Sequence, residues 1–172
     1  MAHRRYYCRY FSIIAAEDFK TFIFCALGYH RLWSHRSYEA SLPLQIFLML
    51  AGSSSVQGSI FWWARGHRVH HRYIDTDGDP YNAKEGLFWS HIGWMLVKPE
   101  KKIGKADISD LRNDPLIRWQ HRYYFLLAIF AYAFPCLISG YGWGDFRGGW
   151  VYATLVRMTA VHHVCDLYLS DT

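Results

Sequence analysis

One apolar segment, residues 123–141, constrains this chain more than anything else in it: nineteen residues without a charge, with FLLAIFAYAFPCLI at their centre. A bilayer crossing takes about twenty apolar residues as a helix, because lipid offers the backbone no hydrogen-bond partners. Arg118 and Arg122 precede the segment, the glycine-rich YGWGDFRGG follows it, and a second apolar stretch over residues 150–165 returns with Arg157 midway and His162 and His163 near its end. The pattern predicts an all-α integral membrane protein built on a helical hairpin.

Two earlier apolar segments do not extend that hairpin in a simple way. Residues 19–29 are too short to span. Residues 42–64 are long enough, but GSSS and QGS interrupt them between Gly52 and Ser59. Small polar residues at that depth predict a helix that is broken, re-entrant or buried in protein.

Histidines flank this broken segment. His30 and His35 lie in GYHRLWSH, and His67, His70 and His71 lie in GHRVHH, five imidazoles among hydrophobic neighbours. A single histidine in such a chain is ordinarily a hydrogen-bonded core or interface residue. Two spaced clusters point instead to a metal site, since neutral imidazole is the commonest protein ligand for iron, copper and zinc. On a helix, His67, His70 and His71 fall at i, i+3 and i+4 and share a face. His30 and His35 stand five apart, about 140° around an α-helix, and are expected to serve different metals or to sit where a helix ends. His3, His91, His121, His162 and His163 are assigned to packing.

If both clusters reach the same metals, they lie on one side of the membrane. The loop over residues 98–122 carries seven Lys or Arg against one in YGWGDFRGG, so the positive-inside rule places the histidine side in the cytosol. Residues 74–114 read as a connector, with turns at DGDPY and NDP and one helix near residues 87–96. Asp75, Asp77 and Asp79 imitate the start of a calcium loop. Pro80 stands where that loop needs glycine and Gly86 where it needs glutamate, so a turn is the reading.

Composition narrows the class further. Hydrophobic residues make up 52% and aromatics 19%, above ordinary soluble domains. The net charge of +5 comes from cations interleaved with apolar runs rather than gathered in a stripe, which suits anionic lipid or a phosphate-bearing substrate better than nucleic acid. Cys8, Cys25, Cys136 and Cys165 are scattered and read as reduced thiols. The N-terminal FSIIAA run ends at Glu17 and Asp18 with no cleavage site, and is not read as a cleaved signal.

HRLWSH and HRVHH fit the H-x-x-x-x-H and H-x-x-H-H boxes of membrane acyl-CoA desaturases, and the intervening QGSIFWWARGHRVHHRYIDTDGDPYNAKEGLFWSHIGWMLVKP resembles the fungal branch of the stearoyl-CoA desaturase family. The resemblance covers roughly residues 28–163. It implies a non-haem enzyme with two iron ions, in the endoplasmic reticulum membrane, that uses O2 and electrons from cytochrome b5. Its reaction would remove two hydrogens from a saturated fatty acyl-CoA, placing a cis double bond between carbons nine and ten. By the same resemblance His30, His35, His67, His70 and His71 are iron ligands, and Arg65 and Lys98 contact the CoA portion. Trp62 and Trp63 are candidates for the wall of an acyl tunnel.

The family continues into an N-S-x-A-H stretch and a third box, H-N-x-H-H. Here the resemblance runs through TLVRMTAVHH, and VCDLYLSDT follows. At the other end MAHRRYYCRYFSIIAAEDFKTFIFCAL stands in place of a first membrane hairpin. The expectation is therefore a single desaturase domain over residues 1–172, truncated at both ends, whose iron site is short of ligands and whose activity is low. The alternative is a catalytically silent membrane protein that partners an intact desaturase or binds lipid. A histidine-box hydroxylase is disfavoured by the WSHIGWMLVKP and HRLWSH context.

Overall fold

The computed structural model describes residues 23–98 and 102–170, with backbone alone over residues 165–170. The N-terminal segment read as lacking a cleaved signal, His3 and Cys8 lie outside the described residues. No strand occurs among the described residues, in agreement with the all-α expectation.

Eight helical elements position the site. They are α1 (Ala26–Ser34, π-helical), α2 (Leu42–Ser53), α3 (Ile60–Tyr73), α4 (Trp89–Gly93, π-helical, running into Trp94–Leu96), α5 (Ser109–Asn113), α6 (Pro115–Trp143), α7 (Gly149–Val156, π-helical) and α8 (Arg157–Ser170). Helix α4 falls within the helix expected near residues 87–96.

Helix α6 has clear start and stop signals. Asp114 accepts from the backbone N–H groups of Leu116 and Ile117, Pro115 occupies the first turn, and Gly144 closes the helix in the left-handed region at φ 76°. Its 29 residues reach about 43 Å, more than a bilayer core. Only 17% of its most apolar window is buried, and Phe125 is 75% exposed. A soluble core helix would hide that face; a lipid-facing one presents it. Among the described residues α6 is the one helix long and apolar enough to cross a membrane. The expected return limb is present but divided between α7 and α8.

The return is tight. Asp145 accepts from Gly148 N–H at 2.7 Å, and Thr154 donates across the hairpin to the Tyr132 carbonyl at 3.1 Å. Gly149 is required at this crossing, because a Cβ there would run into Ser139 Oγ and Cβ and crowd the Cys136 backbone.

The interrupted segment over residues 42–64 is a broken helix, as its small polar residues predicted. Helices α2 and α3 are separated by Ser54–Ser59, where Val56 and Gly58 have φ of 55° and 96°. The break is held by donors and acceptors from the membrane hairpin. Gly58 N–H donates to the Tyr124 hydroxyl at 2.8 Å, and Arg157 donates to the Ser54 carbonyl. Ser59 caps α3 through Trp62 N–H and pairs with His121 at 2.7 Å. Arg157, the cation midway along the return segment, thus turns to one carbonyl at the break and one a turn earlier, that of Ala153.

Beneath the break sits a buried polar junction. Gln120 is fully buried; its Oε1 accepts from Ile60 N–H, and its Nε2 donates to the Tyr29 hydroxyl and to Ser53 Oγ, each at 3.0–3.1 Å. One side chain of α6 therefore joins the ends of α2 and α3 to α1. Tyr29, Trp33, Leu48, Ile60, Trp63 and Leu111 pack around it as the core.

Candidate metal centre

Four of the five boxed histidines converge. Ring nitrogens of His30, His35, His67 and His71 all lie within 4.8 Å of one another. The Nε2 atoms form a chain of 3.0 Å contacts, His30 to His35, His35 to His67 and His67 to His71.

His30 and His35 do not diverge as an α-helix would make them. The π-helical winding of α1 closes an i→i+5 hydrogen bond, from His35 N–H to the His30 carbonyl at 3.0 Å, and places residues five apart on one face. Of the two expectations for this pair, the second holds: His35 sits at the helix end, and the winding brings its ring to 4.4 Å from that of His30.

His70 is the exception in the second cluster. Its Nδ1 lies 2.9 Å from Asp79 Oδ1, and its ring, 5.5 Å from that of His71, is not part of the four-nitrogen group. A histidine that donates one ring N–H to a carboxylate keeps the other nitrogen as a fixed, more basic lone pair, the usual arrangement behind a metal ligand. Asp79 is itself oriented by Tyr81 N–H and Asp75 N–H. The DTDGDP turn, a decoy as a calcium loop, thus supplies the carboxylate that aims His70. Sequence reading missed Asp79; the signal was a carboxylate within loop reach of an H-x-x-H-H box.

The donor set fits a transition-metal ion. A neutral ring nitrogen holds either one proton or one lone pair, so at most two of the three contacts in the chain can be linear hydrogen bonds. A central cation would satisfy four lone pairs at once. His67 also has a buried Nδ1 with no hydrogen-bond partner, so that ring is placed by its Nε2 side and by stacking on Trp63 at 4.8 Å and 22°.

Electrostatics hold the rings in the ligand form. Burial, then the neighbouring imidazoles, lower His67 to about 2; burial, then His35 and His71, lower His30 to about 4. His35 and His71 are lowered for the same leading reason. All four are neutral at pH 7. The unfolded chain, with imidazoles near 6.5, takes up protons in acid that the folded chain refuses, so stability is full above about pH 6.5 and falls below it. His67 alone removes about 1.4 kcal/mol per pH unit in that window. Thermal unfolding of the metal-free chain is expected at lower temperature at pH 5 than at pH 7.5; an unchanged midpoint contradicts this burial.

A cavity of about 1100 Å³ opens beside the cluster. Trp62, Trp63, Val69, Trp94 and Ile103 give it apolar walls, and Arg65, Lys105 and Arg112 give it cations. Arg65 thus lies where a ligand in this cavity would meet it. Lys98 is exposed and is not among the lining residues, while Lys105 and Arg112, which sequence reading passed over, are. Trp63 both lines the cavity and stacks on His67.

The remaining described histidines have other partners. His121 meets Ser59, His162 meets the Met158 and Val56 carbonyls, and His91 pairs with His163 at 2.9 Å. Neither Cys25 nor Cys136 is in a disulfide.

A long apolar helix beside two histidine boxes whose ring nitrogens converge fits a membrane histidine-box protein. The chain belongs to the fatty acid desaturase family, which it matches over residues 14–169. It is 51% identical over 138 residues to the "Probable acyl-CoA desaturase" of Schizosaccharomyces pombe, covering 79% of this chain and 29% of that protein. It is 52% identical over 136 residues to "Acyl-CoA desaturase 1" of Saccharomyces cerevisiae, covering 78% of this chain and 27% of the relative. Human "Stearoyl-CoA desaturase 5" is 43% identical over 148 residues, 80% of this chain and 45% of that one. The aligned part of this chain spans less than a third of the length of the two yeast relatives.

Proposed function

We propose that this chain carries the first two histidine boxes and a membrane hairpin of an acyl-CoA desaturase, with His30, His35, His67, His70 and His71 as ligands to two iron ions. The observation that carries the reading is the convergence of four ring nitrogens beside an apolar cavity with cations on its lining. Iron held there would supply the activation of O2 that no side chain provides. His30, His35, His67 and His71 serve one ion; His70, aimed by Asp79, serves the other.

The protein's own residues do the rest. The cavity's tryptophans and aliphatic side chains enclose a saturated acyl chain and exclude water. Arg65, Lys105 and Arg112 suit the phosphates of CoA, and Lys98 is a further CoA contact outside the lining residues. Trp63, shared by cavity wall and cluster, sets the chain against the metal. The proposed product is a cis double bond between carbons nine and ten, with electrons from cytochrome b5, in the endoplasmic reticulum membrane with the boxes facing the cytosol. The seven Lys or Arg over residues 98–122 support that sidedness.

Five imidazoles divide thinly between two irons. Expressed alone in desaturase-deficient yeast, these 172 residues are expected to give no rescue. Residues 28–163 grafted into the corresponding segment of the Saccharomyces cerevisiae relative are expected to restore unsaturated fatty acids, and His30→Ala in that graft to abolish them. Robust rescue by the 172 residues contradicts the incomplete ligand set, and an expressed but inactive graft contradicts the functional reading.

A further inference from the structure

Each histidine box places an arginine directly after a member of the four-nitrogen cluster, Arg36 after His35 and Arg68 after His67. Both arginines converge on one carboxylate from a different element, Asp110 of α5. All five N–H donors of Arg68 are engaged. Nε donates to the Ser34 carbonyl, Nη1 to the Asp107 carbonyl and Asp110 Oδ1, and Nη2 to the Trp33 carbonyl and Asp110 Oδ2, at 2.6–3.1 Å. The Trp33 and Ser34 carbonyls are the C-terminal end of α1, next to His35. Arg36 reaches Asp110 from a left-handed conformation at φ 52°, uncommon for a side-chain-bearing residue.

Such a junction does more than hold a surface loop. Arg68 spans from α3 to the last turn of α1, so the spacing of the two boxes is fixed by one planar fork. Asp110 in turn belongs to the segment whose Asp107, Ile108, Ser109 and Arg112 line the cavity. A shift of that wall moves the carboxylate that both arginines grip.

We propose that Asp110 is a positioning residue: through Arg36 and Arg68 it locks the two histidine boxes together, and it couples their spacing to the cavity wall formed by α5 and the residues before it. The proposal rests on the metal reading above for its binding consequence, but the lock itself is a property of the polypeptide. Outer partners that orient ligands are typically worth 10–100-fold in metal affinity, and coupling between cavity and metal is reciprocal.

The test uses the whole 172-residue chain in detergent micelles, with Co(II) as the probe and amide hydrogen exchange as a metal-free reading. Asp110→Asn is expected to weaken Co(II) about 10–100-fold and to speed exchange at the His35 and Ser37 amides at least about tenfold. Helix content and exchange in the middle of α6 stay at wild-type values, and Asp110→Glu recovers most of the affinity. Unchanged exchange at His35 and Ser37 in Asp110→Asn overturns the proposal. If wild type itself binds no Co(II), the metal reading fails, and the exchange result still decides the lock. Should Asp110→Asn lose helix content, Arg36→Ala on the 57% exposed arm is read instead, with faster exchange at the same two amides expected and unchanged exchange contradicting the lock.

Discussion

Replacing His67 by alanine is expected to abolish high-affinity transition-metal binding by this chain. His67, like His35, touches all three other rings of the cluster: its Nε2 lies 3.0 Å from those of both His35 and His71, and its ring centroid is 4.7 Å from that of His30. It is also the most buried of the four, 2% exposed, and is stacked on Trp63. Losing an outer partner of a ligand typically costs 10–100-fold in affinity, so losing this central ligand should exceed about a hundredfold. Replacing His121, which pairs with Ser59 away from the cluster, should leave metal affinity within about twofold of wild type, a difference well below 1.4 kcal/mol. Equal losses from the two substitutions, followed by metal titration, contradict the assignment.

Gln120→Leu is expected to be the most destabilising single change in the described part of the molecule. Leucine fills the volume but leaves the Ile60 N–H, the Tyr29 hydroxyl and Ser53 Oγ without this partner in a fully buried place. An unsatisfied buried polar group costs about 1–3 kcal/mol, and Tyr29 and Ser53 retain a contact with each other at 3.3 Å, so a total of about 3–5 kcal/mol is expected. Denaturant unfolding in micelles measures it. A loss below about 1 kcal/mol would mean that the junction between α6 and the histidine-bearing helices carries little energy.

These two residues divide what was legible in the sequence from what was not. His67 stood out because five imidazoles at box spacing among apolar residues are hard to explain otherwise. The hairpin was equally legible, since a nineteen-residue uncharged run and a glycine-rich turn leave few alternatives, and so was the break at Ser54–Ser59. Gln120 was not legible: a glutamine among WQHRYY reads as an interfacial residue until two helix ends and α1 are seen to meet on it. The approach of His30 to His35 was hidden for another reason. Periodicity arguments assume 3.6 residues per turn, and the π-helical winding of α1 that aligns residues five apart leaves no composition signal. Asp79 and Asp110 escaped because their importance lies in partners nine and more than forty residues away. Lys98 illustrates the reverse case, a residue singled out by resemblance that lies outside the cavity lining, where Lys105 and Arg112 line it.

In the proposed reading the two boxes build one metal centre. Titrating the purified 172-residue chain with Co(II) under anaerobic conditions, followed by its ligand-field absorption, tests it most directly. A saturable, high-affinity site of histidine nitrogens is expected in wild type and is expected to be lost in His67→Ala and in His35→Ala alike, because each box contributes to the same ion. Absence of saturable binding, or a site that survives when either box is removed, would contradict it.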